Sequence, residues 1–317
     1  MVVLNRCKWA QRALCLLFIG LVGCNNSGRE SIDCTGLSSE ACEALEVEQL
    51  GDFDEFYLDD YRSNGADEAS ESVAQYTIEA DLTLSELDNI DPEGDDLFRQ
   101  IWRNVKQILP EPWLKDSFSE FHIHSDGEEG TLAYVQLDEY QDDRWVIAFD
   151  DVDYSGVDDK EFIHTVIHEF GHVVFLNENQ IDAEVTEDCD TYLLEEGCAF
   201  RRSHLNRFYQ TFWQDLIDEN AAAEGDEDQL LIFYRRYQDQ FISEYAATDP
   251  IEDAAEVFTH FVLREKPHDN GSVVTRKIRF LHTLKPLVEL REQLRSKLSL
   301  IRKNQGKASF AGDMRKI

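Results

Sequence analysis

The segment His168-Glu169-Phe170-Gly171-His172 constrains the fold of this chain more than any other. Two histidines four residues apart stand about 400° around a helix of ~3.6 residues per turn, so both rings leave one face and can share a metal ion. Ile163, Val166, Ile167, Phe170 and Val174 lay an apolar stripe along the same stretch, and burying that stripe holds the rings in place. Residues 160–176 are therefore expected to form a helix sunk into a core. Glu169 points about 100° round from His168, beside a shared ion instead of onto it, where it can take a proton from ion-bound water.

A catalytic metal of this kind takes three protein ligands and keeps a fourth position open. The third ligand must come from elsewhere, and downstream the stretch from Tyr245 to Glu256, Y-A-A-T-D-P-I-E-D-A-A-E, stands out. Asp249 reads as an N-cap, Pro250 fits the first helical position, and Glu252 falls in the first turn. Asp249 and Glu252 also have capping-box spacing, so Glu252 has a purely local use as well. Glu256, one turn on and on the same face, could accept a hydrogen bond from the distal nitrogen of His168 or His172.

The surrounding pattern is that of an α+β domain. Leu97, Ile101, Trp102, Val105 and Ile108 recur at helical spacing up to the breakers Pro110 and Pro112. Three short β-branched and aromatic runs follow at 118–124, 131–137 and 145–149. Helical patterns then cover 160–176, roughly 194–218, 230–243, 250–263 and 286–301.

These residues resemble the gluzincin metallopeptidases, a family that includes the anthrax lethal factor catalytic domain and the Mlc-titration-factor peptidases. The likeness is specific over 160–176 and 243–262, in HEFGHVV and SEYAATDPIEDAAEVF, and loose over 95–300. It implies a zincin-like fold with a small mixed-sheet lobe and a helical C-terminal lobe. It also implies one Zn2+ on His168, His172 and Glu252, with Glu256 supporting a ligand histidine. By the same resemblance, Glu169 activates a zinc-bound water for peptide hydrolysis and Tyr245 stabilises the oxyanion. The interval from His172 to Glu252 is longer than in those relatives and contains Cys189 and Cys198, which implies an inserted disulfide-bonded loop bordering the cleft. The competing expectation is a catalytically idle surface lipoprotein that uses the same scaffold to bind a host or envelope partner.

Export is expected from the first residues. Arg6, Lys8 and Arg12 precede an apolar run from Ala13 to Val22 that is too short for a stable span, which needs about 20 residues. Leu21-Val22-Gly23-Cys24 resembles the bacterial lipobox. That implies a leader at 1–23, a lipid on Cys24, and a place on the cell envelope, at the outer membrane or cell surface. Residues 24–75, rich in Glu, Asp, Ser and Gly, read as an acidic tether, and 76–317 as the metallopeptidase domain. In an oxidising compartment Cys34–Cys42 and Cys189–Cys198 are the simplest pairings.

With 65 acidic against 30 basic side chains the chain is a poor partner for nucleic acid, and a protein or peptide substrate is expected instead. Residues 272–317 invert the balance, with 12 basic and 3 acidic side chains. They suit a basic helix docked on an acidic body, or one that meets anionic headgroups. Other histidines have ordinary readings beside functional ones: His164 as a solvated or hydrogen-bonded helix residue or one that lines the cleft or binds a second ion, His260 as packed or ligating, and His122 and His124 on one strand face, an ordinary exposed face or a functional one. The Asp151–Gly156 stretch resembles the start of a calcium loop but lacks the glutamate required at its twelfth position.

Overall fold

The computed structural model describes residues 71–126, 131–141, 143–154 and 159–313, the last helix beyond Ile301 as backbone only. The expected leader, the Cys24 lipid, the Cys34–Cys42 pairing and most of the tether lie outside the described residues.

The fold mixes α and β, with its main sheet built early in the chain and its helices gathered late. In order come β1 (Glu71–Ile78), β2 (Leu84–Asn89), α1 (Asp95–Ile108), α2 (Glu111–Ser117), β3 (Phe118–Ser125), β4 (Ala133–Leu137), β5 (Trp145–Asp150), α3 (Asp151–Tyr154) and α4 (Asp159–Leu176). Three short strands follow, β6 (Ile181–Asp182), β7 (Leu193–Leu194) and β8 (Gly197–Ala199). The chain ends in α5 (His204–Phe212), α6 (Ile217–Ala223), α7 (Glu227–Tyr237), α8 (Pro250–Leu263), α9 (Val273–Leu281) and α10 (Lys285–Asp313).

The five-stranded sheet has the order β2-β1-β3-β5-β4. Only β3 and β5 run parallel, and β4 closes one edge antiparallel to β5. Every residue of β5 is buried, as expected of a strand covered on both faces. Aromatic contacts tie the sheet to the helices. The Phe121 ring centroid lies 5.5 Å from that of Trp102 on α1, and Phe149 is 5.5 Å from Phe162 on α4. Burying these rings, at about 150–250 Å² each, is a dominant contribution to cohesion between the layers.

Two sequence expectations need correction, and one helix has no counterpart among them. Strand β1 begins at Glu71, so residues 71–75 belong to the sheet and not to the tether. Ala74, Tyr76 and Ile78 face inward while Ser72 is exposed and Gln75 and Thr77 are half-buried, an alternation that the polar average of the window conceals. Residues 194–200 are not helical but form the β7–β8 hairpin, paired to β6 and closed by a Cys189–Cys198 disulfide. Gly197 sits there at φ +135°, and a Cβ on it would stand 2.3 Å from the Asp182 carbonyl oxygen, so only glycine fits that turn. Helix α9, capped by Ser272, had no clear counterpart in the apolar pattern.

Helix α10 locks the helical lobe. The Arg291 guanidinium donates to the Phe261 and Arg264 carbonyls and Arg295 to that of Val262, covering the last carbonyls of α8. Lys297 Nζ donates to the Lys106 and Leu109 carbonyls at the end of α1, at 2.7 and 2.6 Å. Cations at helix C-termini satisfy orphan carbonyls and complement the dipole. Among the described residues no helix is long and apolar enough to cross a membrane.

Candidate metal centre

Helices α4 and α8 cross closely enough to place their polar faces together. A Cβ added at Gly171 would lie 3.2 Å from the Ala255 Cα and 3.3 Å from the Phe258 ring. The crossing therefore depends on glycine and alanine at its centre. Phe258 also packs against Phe170 and Phe175 at 6.3 and 6.1 Å. Helix α8 starts where its sequence predicts. The Asp249 side chain accepts from Ile251 N and Glu252 N, and Pro250 takes the first helical position. The carboxylate of Glu252 turns away from that cap toward α4.

Three atoms converge at this crossing. Nε2 of His168 lies 3.1 Å from Nε2 of His172 and 3.1 Å from Glu252 Oε2, while His172 Nε2 stands 3.4 Å from the same oxygen. A tetrahedral ion with ligands at about 2.0–2.1 Å separates its ligand atoms by about 3.3–3.4 Å. The donor set therefore fits a zinc ion in kind and in spacing. His168 Nδ1–H donates to Glu256 Oε1 at 2.9 Å, which in the neutral ring leaves the Nε2 lone pair facing the centre. Glu256 is itself fixed by Ser243, whose hydroxyl donates to Oε2 at 3.1 Å and accepts from Ala246 N.

The electrostatics favour positive charge at the convergence point. Burial alone would raise Glu252, but the facing imidazoles hold its carboxyl well below the usual range. Burial opposes charging of His168, yet its bonds to Glu252 and Glu256 raise it well above an ordinary histidine. Glu169 is 6 % exposed and stays out of the triangle, with a donor atom within 4.8 Å of both histidines. Burial pushes its carboxyl up, against the pull of His172 and His168 and a smaller lowering influence of the Val135 backbone on β4. Tyr245 occupies the short turn Tyr245–Ala247 just before α8, its ring 5.7 Å from that of His168.

Several neighbours escaped the sequence reading. Ser243 opens the stretch that carries the family resemblance and Val135 lies in a strand run, but neither has a site role there, since each acts through a contact that the fold alone creates. Burial pushes the carboxyl of Glu196, on the disulfide-bonded hairpin, up, and His172 contributes a small opposing pull. Asp253 points away from the triangle into a wholly buried ion pair, 2.6 Å from Lys277 Nζ, and accepts from Trp213 Nε1 at 2.7 Å. His164 and His260 form a second layer around Glu256, and burial lowers them to about 4 and about 3. His122 pairs with Glu120 at 2.7 Å. No protein-family model, curated protein or solved structure matches the chain.

Proposed function

We propose that this chain is a zinc-dependent peptidase of zincin-like fold, with His168, His172 and Glu252 holding one Zn2+ and Glu169 as general base. The triangle of donor atoms, with sides of 3.1, 3.1 and 3.4 Å, carries this reading. When bound, zinc supplies Lewis acidity, which makes a ligated water acidic and a carbonyl electrophilic.

The chain's own residues supply the rest. Glu169 accepts a proton from the attacking water as the new C–O bond forms, and returns it to the amine nitrogen as the C–N bond breaks. Tyr245 donates a hydrogen bond to the carbonyl oxygen as charge gathers there. Glu256, through Nδ1 of His168, keeps that ring turned toward the ion. A peptide substrate is favoured by the position of β4, an edge strand of the sheet, whose Val135 backbone bears on the Glu169 carboxyl. An extended chain laid along that edge would pass beside the base. The lipid expected on Cys24 would keep this activity at the envelope.

The test is elemental analysis of the purified chain followed by digestion of a peptide library with and without chelator. One zinc at this site and chelator-sensitive cleavage are expected. Glu169→Gln should keep the metal and abolish cleavage, whereas a Gln variant as active as the parent removes the base assignment. Metal bound with no cleavage of any peptide would instead favour the idle binding scaffold.

A further inference from the structure

A second group of potential ligands lies at the carboxyl ends of the two parallel strands. His124 and Asp150 are register partners on β3 and β5, and Asp126 follows β3 directly. One donor atom from each lies within 4.8 Å of the other two. His124 is 3 % exposed and Asp150 fully buried.

The hydrogen bonding fixes which atoms have lone pairs to offer. His124 Nε2 lies 2.8 Å from the Thr131 carbonyl oxygen. A carbonyl only accepts, so the proton is on Nε2 and the lone pair on Nδ1. That Nδ1 is buried and has no partner, and the same holds for Asp126 Oδ1. The other carboxylate oxygens are already engaged. Asp126 Oδ2 accepts from Thr131 N at 2.8 Å, Asp150 Oδ1 from Val152 N and Asp153 N at 2.8 Å each, and Asp150 Oδ2 from Asp126 N at 3.0 Å.

His124 Nδ1 and Asp126 Oδ1 are thus buried acceptors without a partner among the described residues, in a trio of side chains whose ligand atoms come within 4.8 Å of one another. Each unsatisfied group of this kind costs about 1–3 kcal/mol, and natural proteins leave few. A cation answers both at once. An imidazole oriented by a backbone carbonyl and carboxylates oriented by backbone N–H groups are also how metal ligands are commonly held. One nitrogen and two carboxylates form a mixed set of borderline hardness, suited to Zn2+ or Mn2+ more than to Ca2+, which takes oxygen ligands alone.

We propose that His124, Asp126 and Asp150 form a second, structural site for a divalent transition-metal cation. Such an ion would join the ends of β3 and β5 to the start of α3, and so brace the segment leading into α4, the helix that carries His168 and His172.

The experiment uses the full chain, stripped with chelator and titrated calorimetrically with Zn2+, Mn2+ and Ca2+, beside the variants Asp126→Asn and His172→Gln. Asparagine still accepts from Thr131 N but withdraws the charge. Two Zn2+ equivalents are expected for the parent and one for each variant. In Asp126→Asn the surviving equivalent is the one that His172→Gln removes. If Asp126→Asn binds as many equivalents as the parent, the proposal is overturned. Filling by Ca2+ alone would overturn the transition-metal assignment. Should the reading of the first centre fail instead, the parent would bind one equivalent, insensitive to His172→Gln and lost in Asp126→Asn. If Asp126→Asn does not fold, His124→Asn replaces it with the same expected outcomes.

Discussion

Each ring nitrogen of His168 has a separate duty: Nδ1 holds Glu256 and Nε2 meets His172 and Glu252. Replacing Glu256 by Gln keeps a hydrogen-bonding group but removes its charge, so zinc affinity should fall about 10–100-fold while the fold survives. Competition against a chromophoric chelator would measure that loss, and an unchanged constant would leave Glu256 without an orienting role. Tyr245→Phe should retain zinc and lower kcat by roughly 10²–10³, the usual cost of one lost oxyanion donor; a change confined to KM would assign the hydroxyl to binding alone. At this scale the sequence was most readable where local geometry dictates position. The spacing of His168 and His172 presupposes only a helix, and the Asp249-Pro250 start sets where Glu252 falls. Ser243 and Val135 were not readable, because their partners are brought to them by chain folding and not by spacing.

Between elements, the crossing of α4 and α8 sets the size of the donor triangle. Gly171→Ala would push a methyl group against Ala255 and Phe258. Overpacking of this sort typically costs about 1–3 kcal/mol, and since the helices would separate along the line joining the ligands, zinc affinity should fall together with stability. Denaturant titration paired with calorimetry checks both. A variant bound and folded like the parent would mean that the helices have room to spare. The Lys277–Asp253 pair anchors α9 to α8 beside Glu252. Removing one member of a buried pair costs about 3–5 kcal/mol, so Lys277→Met is expected to unfold at clearly lower urea, and a midpoint equal to the parent's would contradict the burial. Helices α4 and α8 were legible because strong periodicity and a cap agree on them. The β1–β2 hairpin and α9 were not, since their inward residues are few and set among charges. Residues 194–200 read as the start of a helix, but Gly197 and the disulfide impose the β7–β8 turn.

For the molecule as a whole, stability should depend on pH through buried histidines. His260 faces Arg264, Glu256 and His164, and burial lowers it to about 3. Its folded value lies below the ordinary one of about 6.5, so the unfolded chain binds the proton first. The stabilising contribution is therefore complete above about pH 6.5 and is lost progressively as pH falls toward about 3. In chelated protein His168, raised by its carboxylate partners, contributes in the opposite sense, so the test is the difference: between about pH 7 and about pH 5 His260→Asn should lose less melting temperature, or gain more, than the parent, and an equal change in both would remove His260 from the account. The charge asymmetry also finds a use. Arg291, Arg295 and Lys297 of the basic end turn inward onto helix carbonyls, which supports docking on the acidic body over contact with headgroups. That arrangement imposes an order on biosynthesis. Residues 285–313 leave the ribosome after everything they clamp, so the far ends of α1 and α8 have exposed carbonyls until that helix has been made. A chain stopped before α10 would carry every proposed zinc ligand and still lack the brace that steadies Glu252's helix, so the capacity to hold metal firmly would follow the ligands and not come with them.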